Sequence, residues 1–506
     1  MKLRRTLLLS TILWSLSGLA FAATPISGLS PYPDGGDPTD AAAVTACNGA
    51  PQLGRVYRNS ETEPYLAVNP TNPDNLIAGW HQDRWSNGGA QGTLSAYSFD
   101  RGMTWTAVNI PFSRCAGGTP GSTGDFERAS DPWISFGPDG AAYYMALVFN
   151  TNNAENGMAV AKSVDGGVTW SEPVIIKQTN AKGAKARAAG HDKNSLTADP
   201  FNPNLVYATW TVFRNNTTTM VFARSTDGGL TWGPARPVNH FEVVDPPAQA
   251  RFRQGVQIVV LPDGTLVNAF FREISDPQGS GIVTSLDQAI FRSTDQGRHW
   301  ERLDTTVAQF VPSGGFDIEL GIRVRDAGFL PDIAVDPNSG TLYVVWQDGR
   351  LSPFGLSNIL LALSTDGGST WSGPIAVTDS PFNQAFLPAV AVAENGTIGV
   401  LYYDFRNDVF GDAELSTDVH LLTANPDGSN VQEERLTDTS FDMRQMVIAG
   451  GYFPGDYVGL KTAGNDFVAA FTIANNLGLP VEIPDNSTLT VDNNNRQDIV
   501  FKRVSR

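Results

Sequence analysis

Histidine and cysteine are scarce in this chain, and basic residues are outnumbered by acidic ones. The 506 residues include five histidines, two cysteines, 35 lysines and arginines, and 52 aspartates and glutamates, which gives a formal charge of -17 at pH 7. An acidic surface disfavours nucleic acid as a partner. The histidines and cysteines show no metal-ligand spacing, so we expect no required cofactor, although acidic loops would suit a structural Ca²⁺ ion.

No long apolar run follows the first 22 residues. That opening stretch combines basic residues at Lys2, Arg4 and Arg5 with an apolar run and small residues at Ala20 and Ala22. This is the pattern of a secretory signal peptide cleaved after Ala22, and its apolar run is too short to span a membrane. We therefore expect an exported protein, extracellular or periplasmic, with no membrane anchor.

The two cysteines are Cys47 and Cys115. In an oxidising compartment, two thiols of one exported chain most simply pair with each other. The sequence thus predicts one structural disulfide rather than a catalytic cysteine. We expect the protein to be a monomer.

An eight-residue pattern, Ser-x-Asp-x-Gly-x-x-Trp, occurs five times at intervals of roughly 65 residues. The copies begin at Ser98, Ser163, Ser225, Ser293 and Ser364. Short apolar runs flank each copy, so each is predicted to be a hairpin turn between two strands. The interval suits a four-stranded propeller blade with long loops.

A second repeat precedes each of these turns. It consists of an apolar strand, a turn with Pro or Asp-Pro, and a strand rich in aromatic and β-branched residues, as in the segments that begin at Tyr65, Ser195 and Asp332. Six such segments and a seventh from Asp456 predict an all-β propeller of seven four-stranded antiparallel blades, with six blades as the alternative.

The predicted propeller is a single domain over residues 54–506, after a signal peptide at 1–22 and an N-terminal extension at 23–53. One convincing strand remains after the seventh segment, so we expect the last blade to take its outer strand from Gly54 to Asn59. Such closure would hide the edge strands that otherwise invite aggregation.

These repeats resemble the Asp-box, or bacterial neuraminidase repeat, family, in which the pattern marks the blades of sialidases and related propellers. The resemblance covers nearly all of the chain after the signal peptide. It implies the fold more strongly than the function, because many activities use such propellers. The aromatic-Arg-Ile-Pro motif of sialidases is absent, and Tyr57, Arg58, Asn59 and Ser60 stand in its place.

We interpret the carboxylates of the repeated pattern as structural, because Asp and Ser bond to nearby backbone in turns and Gly adopts positive φ. These residues are Asp100, Asp165, Asp227, Asp295 and Asp366. The Pro turns and the Asp-containing turns close hairpins at the same end of the strands. A binding site is therefore expected at the opposite end, which carries the long loops and the connections between blades.

Arginines and carboxylates accumulate in those loops and connections. They predict a site for an acidic saccharide or glycoconjugate, since the Arg fork matches a carboxylate. The candidates for substrate binding are Arg58, Arg84, Arg128, Asp131, Lys193, Arg272, Arg323, Arg350, Asp404 and Arg406.

The family resemblance implies how such a site would work. Sialidases hold a substrate carboxylate with three arginines and use a Tyr paired with Glu as nucleophile and an Asp as acid/base. Arg58, Arg272 and either Arg323 or Arg350 could form the triad, Asp83 the acid/base, and Tyr452 or Tyr457 the nucleophile. The expected function is a secreted, exo-α-sialidase-like glycoside hydrolase acting on a sialic-acid- or uronate-containing saccharide.

Two alternatives remain open. His81 and His191 lie at the same predicted face and could serve a polysaccharide lyase of a seven-bladed type, in which His and Tyr move a proton beside a uronate. A propeller that binds a glycan or a protein without catalysis would use the same arginines.

Overall fold

The computed structural model describes residues 22–32, 47, 53–151, 155–179, 190–214, 217–238, 249–275 and 282–506. The proposed signal peptide lies outside them apart from its last residue. Nearly all regular structure is β-strand, which confirms the predicted all-β class. No helix among the described residues is long and apolar enough to cross a membrane.

Most strands of the described chain fall into seven successive four-stranded antiparallel groups, which we number sheets 1 to 7 in chain order. Hydrogen bonds join the first two groups, with Gly54–Tyr57 and Leu489–Asp492, into one ten-stranded sheet. Sheet 1 consists of Thr62–Val68, Leu76–Trp85, Ala90–Ser98 and Thr106–Asn109. Sheet 2 consists of Arg128–Phe136, Ala142–Phe149, Asn156–Ser163 and Val174–Thr179. Sheet 3 consists of Gly190–Ala198, Val206–Arg214, Thr217–Ser225 and Arg236–Pro237. Sheet 4 consists of Gln249–Val260, Leu266–Ser275, Val283–Ser293 and Thr305–Gln309.

The remaining three sheets repeat the pattern. Sheet 5 consists of Asp332–Val335, Leu342–Asp348, Asn358–Ser364 and Ile375–Ala376. Sheet 6 consists of Ala385–Val392, Ile398–Asp404, Ser416–Ala424 and Gln432–Arg435. Sheet 7 consists of Gly459–Ala463, Asp466–Ala474, Gln497–Val504 and Thr24–Pro25.

A few short elements lie outside this pattern. Strands Phe316–Asp317 and Ile322–Arg323 form a hairpin before sheet 5. Strand Phe441–Asp442 leads into a 3₁₀ turn at Met443–Gln445. Strand Gly54–Tyr57 pairs with Leu489–Asp492 and with the end of the second strand of sheet 1. A single bridge between Ala90 and Ala129 links sheets 1 and 2.

The first strands of the sheets lie side by side. Each contacts the first strand of the next sheet, and the first strand of sheet 7 contacts that of sheet 1. Apolar side chains fill the spaces between neighbouring sheets; Trp80 and Leu94 of sheet 1 share one cluster with Val468 and Phe501 of sheet 7. Burial of these faces supplies most of the stabilisation, at about 25 cal/mol per Å² of apolar surface.

The prediction for the outer strand of the last sheet is wrong. Thr24–Pro25, within the predicted N-terminal extension, pairs with the last strand through Phe501 and Val500. Gly54–Tyr57 instead extends sheet 1, because its Val56 and Tyr57 pair with Trp85 and Arg84. Thr24–Pro25, which precedes the predicted segment by about thirty residues, therefore covers the outer edge of sheet 7. Cys47 and Cys115 form a disulfide.

The five Asp-containing turns share one set of hydrogen bonds, and each connects the third and fourth strands of sheets 1 to 5. In the turn of sheet 3, Asp227 Oδ1 accepts from Ser225 Oγ at 2.7 Å and from the Thr231 amide at 2.9 Å. The amide of Gly229 donates to Ser225 Oγ at 2.8 Å. Equivalent bonds recur at Asp100, Asp165, Asp295 and Asp366.

The turns also join neighbouring sheets. In the sheet 4 turn, Gly297 has a φ of +75°, and a Cβ there would lie 2.3 Å from the Phe222 ring of sheet 3. Trp300 of the same turn packs edge-on against Phe222, with ring centroids 5.3 Å apart. Arg224, just before the sheet 3 turn, donates to the carbonyl of Gln296 at 2.7 Å. Glycine is therefore required both by the backbone and by the neighbouring ring.

Replacement of Asp227 by Ala is expected to lower the free energy of unfolding by up to about 1 kcal/mol at pH 7, because the turn loses acceptors for Ser225 and Thr231. The hydroxyl and amide of Thr231 and the hydroxyl of Ser225 lower the pKa of Asp227 to about 2, against about 3.9 in unfolded chains. A lowered pKa stabilises the fold above the unfolded value, and this contribution is lost as pH falls toward 2. Denaturant unfolding of both proteins should thus show a smaller difference at pH 3 than at pH 7.

The exposed neighbour in the same turn provides the control. Thr226→Ala should leave the free energy of unfolding unchanged at both pH values. An Asp227→Ala difference that grows as pH falls would contradict the assignment of the carboxylate as the acceptor of the turn.

Candidate functional site

The first strands of five sheets carry a bulge near their start. At each bulge the pairing register shifts and one residue has a φ between +53° and +76°. These residues are Glu63, Asp131, Lys193, Gly255 and Leu387. A bulge re-aims one side chain out of the alternation of the strand. Here Glu63, Asp131 and Lys193 meet in a buried group where the first strands adjoin.

Asp456, which precedes the first strand of sheet 7, is the carboxylate shared by two cations of this group. Its Oδ2 lies 2.7 Å from Lys193 Nζ and 3.1 Å from a terminal nitrogen of Arg325. Lys193 also lies 3.2 Å from Asp192. Burial alone would raise the pKa of Asp456, but Arg325 and Lys193 hold it below its ordinary value. This carboxylate is therefore ionised at neutral pH.

Glu63, His81 and Asp131 form a second part of the buried group. His81 Nε2 accepts from the Asp131 amide at 2.7 Å and lies 2.9 Å from Glu63 Oε2. Burial and the charge on Asp456 raise the pKa of Glu63 to about 7, and burial and Glu63 raise that of Asp131 to about 7. Burial, followed by Arg84, lowers the pKa of His81. Because Nε2 accepts from the Asp131 amide, the neutral imidazole carries its proton on Nδ1.

Ligand atoms of Glu63, His81 and Asp131 lie within 4.8 Å of one another, which is a spacing that a metal ion could use. The lone pair of His81 Nε2 is, however, already engaged by the amide of Asp131 at 2.7 Å. The donor set therefore fits a hydrogen-bonded cluster better than a metal centre.

A cleft of about 470 Å³ opens beside Asp456. Three cationic side chains line it, namely Lys193, Arg323 and Arg325, together with a second carboxyl group, Asp326. Burial raises the pKa of Asp326 to about 6, although the Gly315 amide and Gln347 donate to it at 2.7 and 3.0 Å. A narrower cavity of about 30 Å³, between the first strands, also contacts Lys193, Asp326 and Asp456.

The loop over Asp326 has little side-chain bulk. A Cβ at Gly314 would lie 3.2 Å from Asp326 Oδ1, which is closer than most such contacts. The two glycines at 314 and 315 thus leave the carboxyl group room on the cleft side. The cleft combines one ionised and one readily protonated carboxyl group with three cations.

Several residues predicted from the sequence do converge on this region. His81, Asp131 and Lys193 belong to the buried group described above. The Arg84 guanidinium lies over the Phe453 ring, 4.7 Å from its centroid, and burial and Arg325 lower its pKa to about 10. Tyr457 donates to the carbonyl of Pro132 at 3.0 Å, and burial raises its pKa.

The predicted arginine triad does not assemble. Arg58 pairs with Asp83 at 3.5 Å, Arg272 with Asp287 at 2.5 Å, and Arg350 with Asp348 at 2.7 Å. Each guanidinium is therefore held by a different carboxylate. Arg323 alone of the four candidates lines the cleft, where its Nε donates to the Gly450 carbonyl at 2.6 Å.

Asp83, the predicted acid/base, is buried beneath the N-terminal segment. It accepts from Ser30 Oγ at 2.6 Å and from the Asn59 amide at 2.8 Å, and burial raises its pKa. Tyr452 donates to Asp317 at 3.1 Å, and burial and Asp317 raise its pKa. Neither residue lines the cleft in the described part of the chain.

The other candidates serve local networks. His191 accepts from Trp210 Nε1 at 2.9 Å and lies 2.8 Å from Thr179 Oγ1, while burial lowers its pKa to about 4. The Arg128 guanidinium lies 4.4 Å from the Trp85 ring centroid. Arg406, in the turn after the second strand of sheet 6, pairs with Asp404 at the end of that strand and, at 2.5 Å, with Glu433 of the fourth strand.

Sequence reasoning missed Glu63, Arg325, Asp326 and Asp456 as site residues. A signal for some of them was present, because three of the bulges precede proline at Pro64, Pro132 and Pro388. Alignment of the first strands on the turns that follow them would have placed the bulge residues at one repeated offset. The segments to align are EPYLAV, DPWISF, KNSLTA, GVQIVV and LPAVAV.

No protein-family model matches the chain. It is 24% identical over 306 residues to a sialidase of Bacteroides fragilis, which covers 48% of this chain and 53% of that protein. It is 25% identical over 357 residues to a xyloglucanase of Hypocrea jecorina, which covers 63% of this chain and 36% of that enzyme. The chain thus spans about half of the first relative and a third of the second. Among solved structures, a Hadza microbial sialidase superposes with a TM-score of 0.46 at 15% identity, covering 85% of this chain and 73% of that one.

Replacement of Asp456 by Asn should lower the free energy of unfolding by about 3 kcal/mol, because Lys193 and Arg325 would be left without their shared buried carboxylate. Denaturant unfolding at pH 7 measures the change. The matched control is Asp438→Asn, which removes an exposed partner 3.5 Å from Lys502 and should cost less than about 1 kcal/mol. Equal effects of the two variants would contradict a buried ion group at the centre.

We expect Glu63 to lower the stability of the folded protein as pH rises from about 4 to about 7. Its pKa is raised to about 7 in the fold, against about 4.3 in unfolded chains. The stabilisation is complete below the unfolded value and is lost as pH rises through the folded value. Melting temperatures of Glu63→Gln should decline less over this range than those of the unaltered protein. The exposed Glu172→Gln control should keep the original slope, and a Glu63→Gln protein with that slope would refute the assignment.

Proposed function

We propose that the protein hydrolyses a glycosidic bond of an anionic saccharide bound in the cleft beside Asp456. One observation carries the proposal: two carboxyl groups with opposite pKa shifts, Asp326 and Asp456, line the same cleft as three cations. Environments that push two carboxyl pKa values apart are typical of acid and base pairs in catalysis. Similarity to a sialidase and a xyloglucanase supports a glycan as the substrate.

Asp326 is the proposed general acid. Because burial raises its pKa to about 6, a substantial fraction is protonated just below neutral pH, and it would donate this proton to the departing glycosidic oxygen. Asp456 is the proposed carboxylate partner. It stays ionised beside Arg325 and Lys193 and would stabilise positive charge that develops at the sugar during bond cleavage.

Arg323, Arg325 and Lys193 would bind the anionic group of the substrate. Arg325 is partly exposed, with 31% of its side chain accessible, and Arg323 is exposed. Their guanidinium groups match a carboxylate in shape and charge. The proposed carboxylate-binding set therefore differs from the three-arginine triad expected from the family resemblance. It consists of two arginines from one segment, Arg323 and Arg325, together with Lys193.

The architecture that presents this cleft is the second part of the proposal. We propose that the seven sheets are the blades of a closed seven-bladed propeller, supported by the contacts between successive first strands and between sheets 7 and 1. The cleft would then lie at one mouth of the central channel, at the end of the strands opposite the Asp-containing turns. Export through the N-terminal signal would bring the enzyme to extracellular or periplasmic glycans.

A substrate panel tests the reaction. The purified protein is incubated with a sialyl oligosaccharide, oligomers of galacturonate and glucuronate, and neutral xyloglucan and arabinan. We expect new reducing ends from an acidic substrate, without absorbance of an unsaturated uronate. Such absorbance would indicate a lyase, binding without product would indicate a binding protein, and cleavage of only neutral glycans would overturn the role of the cations.

Replacement of Asp326 by Asn is expected to lower kcat at least about 100-fold on the acidic substrate, because the proton donor is lost. The unaltered enzyme should lose activity as pH rises through about 6, since Asp326 then deprotonates. Initial rates between pH 4 and 8 measure both effects. Asp438→Asn serves as the control and should keep the original profile, whereas an Asp326→Asn enzyme of normal rate would remove Asp326 from the reaction.

Replacement of Arg323 by Gln should raise KM roughly tenfold and change kcat little, because the exposed guanidinium would contribute to binding more than to bond cleavage. The effect should be confined to acidic substrates. Arg101→Gln, an exposed change in the first Asp-containing turn, is the charge-matched control. An unchanged KM in the Arg323 variant would contradict its place in the binding site.

A further inference from the structure

A second, larger groove of about 1120 Å³ lies between sheets 3 and 4, on the side of the Asp-containing turns. The outer edge of sheet 3, from Trp232 to Val238, forms one wall. The turn of sheet 4, from Gly297 to Trp300, forms the other together with Arg302. The groove is therefore at the opposite end of the strands from the cleft beside Asp456.

The groove is positively charged although the protein is acidic. Its described lining contains Arg224, Arg236, Arg298, His299 and Arg302 and no Asp or Glu, in a chain with 52 acidic and 35 basic residues. A local cluster of positive charge in a protein of net negative charge is typical of a surface that binds an anionic ligand.

Two of the arginines are available to a ligand. Arg236 and Arg298 are exposed and have no ion pair with any described residue. Arg224 is partly engaged, because it donates to the Gln296 carbonyl at 2.7 Å. Arg236 lies in the outermost strand of sheet 3, opposite Phe222. These positions present guanidinium groups from both walls of the groove.

The carboxylates of the two turns that border the groove are engaged within those turns, and Glu301 pairs with Arg292 at 2.7 Å. Asp227 accepts from the Thr231 amide at 2.9 Å. Asp295 accepts from the His299 amide at 2.9 Å and lies 2.6 Å from His299 Nδ1. Neither carboxylate lines the groove.

Aromatic rings accompany the charges. Trp232 and Trp300 line the groove, and Trp300 is fixed edge-on against Phe222 at 5.3 Å between centroids. Indole rings provide flat apolar surface on which sugar rings stack, while guanidinium groups bind carboxylate or sulfate. An acidic polysaccharide offers both apolar faces of its sugar rings and anionic substituents, so it matches the indole and guanidinium groups of the groove.

We propose that this groove is a second, non-catalytic binding site for a linear anionic polysaccharide. It would hold a polymer on the face opposite the cleft and raise the local concentration of chain segments near the protein. The inference goes beyond the proposed hydrolysis and does not depend on it, because binding at the groove requires no reaction in the cleft.

The test compares the full mature protein with an Arg236→Gln/Arg298→Gln double variant. Affinity is measured by electrophoresis in gels that contain polygalacturonate or dextran sulfate, over a range of salt concentrations. The double variant should bind roughly tenfold more weakly, with a shallower dependence on salt, because two exposed charge contacts are lost. If the double variant loses affinity for polygalacturonate alone, the groove binds carboxylates. If it loses affinity for both polymers, the groove binds anionic sugars in general.

Arg101→Gln/Lys177→Gln is the matched control, because it removes two exposed positive charges outside the groove. It should retain the affinity of the unaltered protein. Equal affinity of the groove variant and the unaltered protein would overturn the proposal, and so would an equal loss in the control.

Double-stranded DNA is the last probe. Binding of DNA as tight as that of polygalacturonate, with the same loss in the groove variant, would overturn the assignment to polysaccharide and indicate a general polyanion surface. Groove binding that persists in a protein without hydrolytic activity would refute the proposed function and leave this inference standing.

Discussion

The buried carboxylate of Asp456 holds together segments that lie far apart in the chain. It precedes sheet 7, yet its two cations come from the first strand of sheet 3 and from the segment before sheet 5. The amide of the same residue donates to Glu63 of sheet 1 at 3.1 Å. Removal of water from these charges is costly unless each finds a partner. Charge pairing therefore fixes the ends of the first strands relative to one another. The same residues line the cleft, so charge pairing also determines the shape of the cleft.

The bulges make this arrangement compatible with a packed core. In a regular strand, residues alternate between the two faces of a sheet, and both faces here pack against neighbouring sheets. A residue with φ near +53° interrupts the alternation at Glu63, Asp131 and Lys193. Three ionisable side chains thereby leave the apolar interfaces and meet one another. Left-handed backbone is unfavourable for such residues, which is typical of positions where surrounding structure and function constrain the chain.

The sequence predicted the all-β class and the turns well because these depend on local chemistry. Gly297 and Asp227 stand in short patterns whose hydrogen bonds are made within eight residues. The outer strand of sheet 7 was predicted wrongly because the actual strand, Thr24–Pro25, is only two residues long and has no strand pattern of its own. The candidate site was predicted in part, through His81, Asp131 and Lys193. Asp326 and Asp456 escaped notice because no local pattern displays the causes of their pKa shifts. The shift of Asp326 comes from burial, and that of Asp456 from Arg325 and Lys193, which lie over a hundred residues away in the chain.

Positive charge is concentrated at both ends of the strands in an otherwise acidic protein. At the cleft, the cations stand beside Asp456, so the net field there is moderated and a substrate anion would compete with a fixed carboxylate. In the groove between sheets 3 and 4 no described carboxylate lines the wall. Under the two proposals, the groove would therefore hold a polyanion without a competing carboxylate, whereas a substrate anion in the cleft would face Asp456. Long-range repulsion from the acidic surface would oppose approach of an acidic polymer everywhere except near these two sites. Because such repulsion is screened by salt within about 8 Å at physiological ionic strength, the short-range match of arginine and anion would decide where the proposed polymer binds.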